Sequence, residues 1–120
     1  MKPRIYDTSF GSITIEGREI EKDVILRMDG SVKKRKKKLS KEVYGTSHTI
    51  SLEEAKYVYE KGAKMLIIGA GHYNRVRLSD EAEKYLNKKG CRVRLMATQG
   101  AIHEWNNAGE NVIGLFHVTC

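Results

Sequence analysis

The run Gly62, Ala63, Lys64, Met65, Leu66, Ile67, Ile68, Gly69, Ala70, Gly71 constrains the fold more than any other stretch of this chain. Residues 65–68 are continuously apolar rather than alternating, the pattern of a central strand buried on both faces of an α/β sheet. Gly62 ends the helix before it, and Gly69 and Gly71 open a loop at the strand's carboxyl end. Open α/β sheets hold ligands at that edge.

The neighbouring segments supply a sheet and its helices. Ser51, with Glu54 three residues on, forms a capping box for a helix over 52–61 whose inner face carries Leu52, Ala55, Val58 and Tyr59. Ser79, followed by Asp80 and Glu81, caps a second helix with Ala82, Tyr85 and Leu86 on its inner stripe, and Gly90 stops it. A strand over 92–97 then completes a βαβ unit, whose two strands run parallel through a right-handed crossover. Upstream, 12–16 alternates like a half-buried strand and 23–28 reads as another. Asp29 and Gly30 signal a type I′ hairpin, with 31–38 as the returning strand. Downstream, a short helix over 101–108 precedes a last strand over 111–118. Residues 1–120 read as one domain, long enough to bury about two-thirds of its unfolded surface.

The net charge of +7 suggests an anionic partner, but Lys33, Lys34, Arg35, Lys36, Lys37 and Lys38 carry +6 of it. Two readings of this run stay open. It protects an exposed edge strand and remains solvated, or it is a basic surface for an acidic partner or nucleic acid. No aromatic residue interrupts it, so a base-stacking platform is not indicated. No apolar stretch reaches the roughly 18 residues of a membrane span, and no apolar segment of a secretory leader follows Met1. The expected location is therefore cytoplasmic, away from any membrane. Cys91 and Cys120 are too few for a disulfide scaffold and read as inert thiols.

Three loops should meet at the carboxyl edge: 69–74, 98–100, and the segment with Ser47, His48 and Thr49 that precedes a helix. Free N–H groups and helix N-termini would favour a small anion there, with His48, Gly69, Gly71, His72 and Thr98 as candidate binding residues. The competing reading gives the glycines to tight turns and the polar side chains to helix caps. Asn74 stands where a dinucleotide fingerprint needs its third glycine, and Asn107 where the zinc-protease motif begun by His103 and Glu104 needs its second histidine. His117 and Cys120, three apart on a strand, would face opposite sides of the sheet. No metal and no cofactor is expected, and the missing acid–base pair argues against an enzyme.

Taken in order, Phe10-Gly11-Ser12-Ile13, Leu66 through Gly71, Leu78-Ser79 with Glu81-Ala82, Thr98, Ala101-Ile102, Trp105-Asn106 and Val112 through Cys120 resemble a small single-domain family of unknown function. Its relatives include the mitochondrial complex I assembly factor 3 and the adipogenesis-associated domain protein. The resemblance implies an α/β fold of three layers, with a central mixed sheet, an N-terminal β-hairpin and a last strand antiparallel to the central one. A helix of about 12 Å over 101–108 is too short for a full crossover and agrees with that direction. The family arrangement puts the last strand across the central strand from 92–97, with Cys91 and Cys120 roughly 10 Å apart and beyond disulfide reach. No catalytic residue is carried over. Many relatives have Thr-Pro at Thr98-Gln99 and lack so long a lysine run, so the chain looks like an archaeal-type member rather than a mitochondrial assembly factor. The function expected first is a non-enzymatic interaction or assembly protein, with a protein partner or a homo-oligomer. A small-anion binder or enzyme at 69–74 and Thr98 comes second, and weak nucleic-acid binding through residues 33–38 third.

Overall fold

A computed structural model describes residues 2–120. Its main sheet has five strands in the order β5-β4-β10-β7-β9: β4 (Val24–Leu26), β5 (Val32–Lys34), β7 (Met65–Ala70), β9 (Arg92–Met96) and β10 (Val112–His117). A separate antiparallel sheet comprises β1 (Ile5–Ser9), β2 (Ser12–Ile15) and β3 (Arg18–Ile20). A two-residue parallel ladder joins β6 (Thr49–Ile50) to β8 (Arg77–Leu78). The helices are α1 (Lys38–Tyr44), α2 (Leu52–Val58), α3 (Asp80–Lys88) and α4 (Thr98–Asn107).

Alternation along the buried strands builds the three layers. Leu66, Ile68 and Ala70, with Ile113 and Leu115 beside them, point toward Ala55 and Val58 of α2 and Ala82 and Leu86 of α3. The intervening Ile67, Val112 and Phe116 point the other way, toward Ala101 and Trp105 of α4 and Ile5, Ile13 and Ile15 of the small sheet. The mixed sheet, the βαβ unit and the antiparallel N-terminal strands thus match the expected class.

The direction of the last strand does not. β10 runs parallel to β7, with Ile113 opposite Leu66 and His117 opposite Ala70, and antiparallel to β4. The cause is the helix before it. α4 begins at Thr98, not 101, and its ten residues span about 15 Å. That length lets it cross over β7 and return the chain to the sheet's starting edge. α3 connects β7 to β9 on one face, and α4 connects β9 back past β7 to β10 on the other. Reversing both face and direction gives the two crossovers the same hand.

Other elements shift more locally. The strand entering at 31 stops at Lys34, and 38–44 turns into α1 instead of extending the hairpin. Only Gly30 of the hairpin loop has positive φ (+89°). The loop is therefore a type I turn closed by Gly30 N–H to Arg27 C=O, followed by a glycine bulge, and not type I′. α2 ends at Val58, three residues earlier than the periodicity suggested.

Glycine makes room for α4. A Cβ on Gly114 would lie 2.7 Å from the Phe116 ring and 3.2 Å from that of Trp105, which meet edge to face at 6.1 Å. Trp105 also donates its indole N–H to Pro3 C=O at 2.8 Å, and Asn106 pairs with both backbone groups of Ile5, fastening the small sheet to α4. Gly114→Ala is therefore expected to lower stability by about 2 kcal/mol, because neither ring can move without opening the core. Gly109→Ala, which meets nothing within 4 Å, should stay within about 0.5 kcal/mol of the parent in urea unfolding.

Candidate functional site

The carboxyl ends of β7 and β10 converge on one buried hydroxyl. Thr98 Oγ1 accepts from Gly71 N–H at 2.9 Å and donates to His117 C=O at 2.6 Å, while Thr98 N–H donates to Gly71 C=O at 3.1 Å. Gly71, at φ +94°, brings its Cα against the backbone of Cys120, where any side chain would collide. Gly69 is crowded too: a Cβ there would lie 2.9 Å from the Phe116 ring and 3.0 Å from Thr98 Oγ1. The Gly71 and Thr98 amides offered to an anion by the sequence reading are thus engaged inside the protein. His72 lies at the rim, its ring 3.3 Å from Thr8 Oγ1 and 3.0 Å from the Gln99 amide nitrogen, beside exposed Phe10. His103 stays exposed on α4, and Asn107 bonds back to its carbonyl.

His48 sits on the other side of this edge. Its Nε2 is 3.6 Å from Cys120 Sγ, and its ring lies edge-on to His117 at 5.5 Å. The expectation that His117 and Cys120 face opposite sides fails for a simple reason. Strand pairing ends at His117, so strict alternation does not extend to residue 120. The loop around Gly71 holds the following turn: His72 N–H donates to Thr119 C=O at 2.7 Å and Arg75 N–H to Cys120 C=O at 3.3 Å. His48, His117 and Cys120 consequently place one donor atom each within 4.8 Å of one another.

Behind His117 lies an ion network that the sequence reading missed. His117 Nδ1–H donates to Asp23 Oδ2 at 2.7 Å; since a carboxylate only accepts, Nδ1 carries a proton and Nε2 is the ring nitrogen left to other partners. Asp23 Oδ1 accepts from Val118 N–H at 2.9 Å. Arg35 donates to Asp23 through Nη1 at 2.9 Å and grips Glu54 with Nε and Nη2 at 2.6 and 3.1 Å. Its remaining bond goes to Ser47 C=O at 2.7 Å, one residue before His48. Arg35 is only 2% exposed, so one cation of the basic run is structural and does not belong to the surface. The capping box is altered for the same reason. Ser51 Oγ accepts from Glu54 N–H, but the Glu54 carboxylate turns to Arg35 and Ser40, and Ser51 N–H donates to Ser40 Oγ.

Burial pushes the Asp23 carboxyl up, but the hydrogen bond and charge of His117, the Val118 amide and Arg35 outweigh it and bring its pKa down to about 2. Arg35 is destabilised as a cation by burial, yet Glu54 and Asp23 more than compensate and raise it. His48 is lowered, first by burial and then by the positive charges of His117, Arg75, Arg35 and Lys37. Cys91, at the opposite end of the sheet, is pushed up to about 11 by burial alone. Both cysteines are free.

Beside Asp23 an open cleft of about 840 Å³ runs along the remaining lysines: Lys22, Lys33, Lys34, Lys36, Lys37 and Lys38 line it, with Tyr57 on its wall. Gly11 and Thr119 close its other side, so the cleft and the histidine–cysteine cluster share a border. Among the described residues no helix is long and apolar enough to cross a membrane.

These features define a three-layer α/β domain whose carboxyl edge is tied shut by its own hydroxyl and amides, with a basic cleft alongside. The chain belongs to the family described as protein of unknown function DUF498/DUF598, whose model matches residues 5–117. It is similar to a conserved hypothetical protein, PH1505, from Pyrococcus horikoshii OT3 (27% identity, TM-score 0.88, covering 98% of this chain and 99% of that one). It is likewise similar to MT938 (33% identity, TM-score 0.82, covering 99% and 100%). A Bordetella parapertussis protein at 17% identity shares the fold (TM-score 0.75, covering 98% and 96%).

Thr98→Val should lower stability by about 2–3 kcal/mol by stranding the Gly71 N–H and the His117 C=O, whereas Thr98→Ser keeps the hydroxyl and most of the stability. The depressed Asp23 pKa adds stability that is complete above the unfolded value near 3.8 and lost as pH falls toward about 2. Over that window it amounts to about 2 kcal/mol. Urea midpoints measured from pH 6 to pH 2 should show that loss, and a flat profile there would contradict the paired Asp23.

Proposed function

We propose that the protein is a non-enzymatic interaction protein whose basic cleft receives an acidic segment of a different protein chain. The cleft itself carries this reading: with Arg35 drawn inward, Lys33, Lys34, Lys36 and Lys38 remain exposed around one concavity. Two observations select the partner's chemistry. The Tyr57 ring carries Lys36 Nζ at 4.5 Å and the Arg27 guanidinium at 5.3 Å, so cations already occupy the π-system on which a base would stack. A second copy of this chain would bring like charge to like charge, which disfavours a homotypic contact through the cleft. Exposed Phe10, next to Gly11 of the cleft wall and 6.1 Å from the exposed Tyr73 ring, offers an apolar anchor beside the charges.

A glutamate-rich peptide and a single-stranded DNA of equal charge, titrated at low and high salt, test the reading. The peptide should bind more tightly and weaken with salt. Replacing Lys34, Lys36 and Lys38 by Glu should cost about tenfold or more, from three exposed ion pairs of about 0.5 kcal/mol each. Tighter binding of the DNA, or no binding of either at low salt, would overturn it.

A further inference from the structure

The cluster at the end of β10 joins two imidazoles and a thiol, the donors preferred by borderline-soft ions and unsuited to magnesium or calcium. One of its separations already has the dimension of a coordination shell. A tetrahedral zinc with Zn–S about 2.3 Å and Zn–N about 2.0–2.1 Å separates sulfur from nitrogen by about 3.5 Å. Cys120 Sγ and His48 Nε2 are 3.6 Å apart, and the whole trio lies within 4.8 Å. We propose that His48, His117 and Cys120 form a binding site for a divalent transition ion of the zinc class.

The surroundings are built for such a site. Asp23 holds His117 through Nδ1, fixing the ring and presenting Nε2, the carboxylate–histidine arrangement that supports metal ligands. Asp23 is itself fixed by Val118 N–H and Arg35, so the ring's position is set by three elements of the fold. His48 is placed from the opposite direction: Thr46 Oγ1 accepts its N–H at 3.1 Å, and its carbonyl accepts from Arg77 N–H at 2.7 Å. The Thr119 hydroxyl is hydrogen-bonded to His117 Nε2 at 3.1 Å, and rotation about its Cα–Cβ bond releases the nitrogen to a metal.

Charge works both ways. Arg75, Arg35 and Lys37 give a positive potential at His48, which opposes a dication. Deprotonation of Cys120 on binding supplies one negative charge, and Asp23 behind His117 supplies another. Three protein ligands would leave a fourth position for water or a ligand, and Thr119, beside His117 Nε2, also lines the lysine cleft. The metal site does not depend on what occupies that cleft.

The full chain, titrated with Co²⁺ at neutral pH and followed by absorption, tests the site. One equivalent should bind with a thiolate-to-cobalt charge-transfer band, and Zn²⁺ should bleach it. Cys120→Ser should abolish the band and Cys91→Ser should leave it unchanged. His48→Gln should weaken binding by more than about 100-fold, exceeding the loss typical of an outer-shell partner. His48 and Cys120 are only partly buried, so these variants should fold, and thermal unfolding verifies it. Zn²⁺ should also raise the unfolding temperature of the parent and not of Cys120→Ser. No cobalt uptake, a spectrum without the thiolate band, or a band retained in Cys120→Ser would each overturn the proposal.

Discussion

A guanidinium with no exposed side-chain surface must have its nitrogens partnered, and Arg35 partners all three of them with groups from three other parts of the chain. Asp23 enters β4, Glu54 lies in α2, Ser47 belongs to the loop ahead of β6, and Arg35 itself follows β5. Removing the arginine would strand two buried carboxylates, at a cost of about 3–5 kcal/mol, even though the intact pair contributes little net stability against an apolar replacement. What the network supplies is position. It fixes Asp23, Asp23 fixes His117, and the bond to Ser47 fixes the chain one residue before His48. The geometry of the histidine–cysteine cluster is therefore set some distance from it, by an interaction whose net energy is small and whose directional demand is large.

The opposite face depends on apolar contact and on the absence of side chains. Gly69 and Gly114 lie on the α4 side of adjacent strands, where Thr98, Trp105 and Phe116 occupy the space their Cβ atoms would need. Close approach of α4 puts the Thr98 hydroxyl within reach of both strand ends, so β7 and β10 are tied where the parallel ladder stops. The same tie removes Gly71 N–H and Thr98 N–H from the list of free donors. A sheet edge that in other α/β folds receives a ligand is here part of the fold's closure, and the open concavity lies one strand away, beside Asp23.

The layers were legible because their signals are local: the apolar run at 65–68, the capped helix from Ser79 and the glycines that punctuate them. The direction of β10 was not, since it turns on whether α4 begins at 98 or 101, and Thr98 as a first helical residue carries no side-chain cap to announce it. Of the candidate residues, His48 does approach the strand ends, and His72 and Thr98 lie where the loops were expected to meet. Their partners were hidden by distance in the chain: Asp23 and His117 meet across 94 residues, Cys120 and His48 across 72. One clue was present. A single arginine among five lysines is chemically distinct, because only its planar fork grips a carboxylate with two parallel bonds. Counting residues 33–38 as uniform charge concealed it.

Drawing Arg35 inward also determines the character of the surface around it. The chain turns at that point from β5 toward α1, so the lysines on either side splay around a concavity instead of lying along one flat edge strand. Edge protection alone would be served by lysines on a regular strand, which need no buried arginine between them. The buried cation and the exposed ones are consequently two parts of one arrangement: the first anchors the turn to Asp23 and Glu54, and the second gives the resulting hollow its sign. Lys37 lies between the two roles, its ammonium 3.6 Å from Asp23 and its side chain 38% exposed, and it joins the cleft's field to the carboxylate that orients His117. An anion held in the cleft would compete with Asp23 for Lys37.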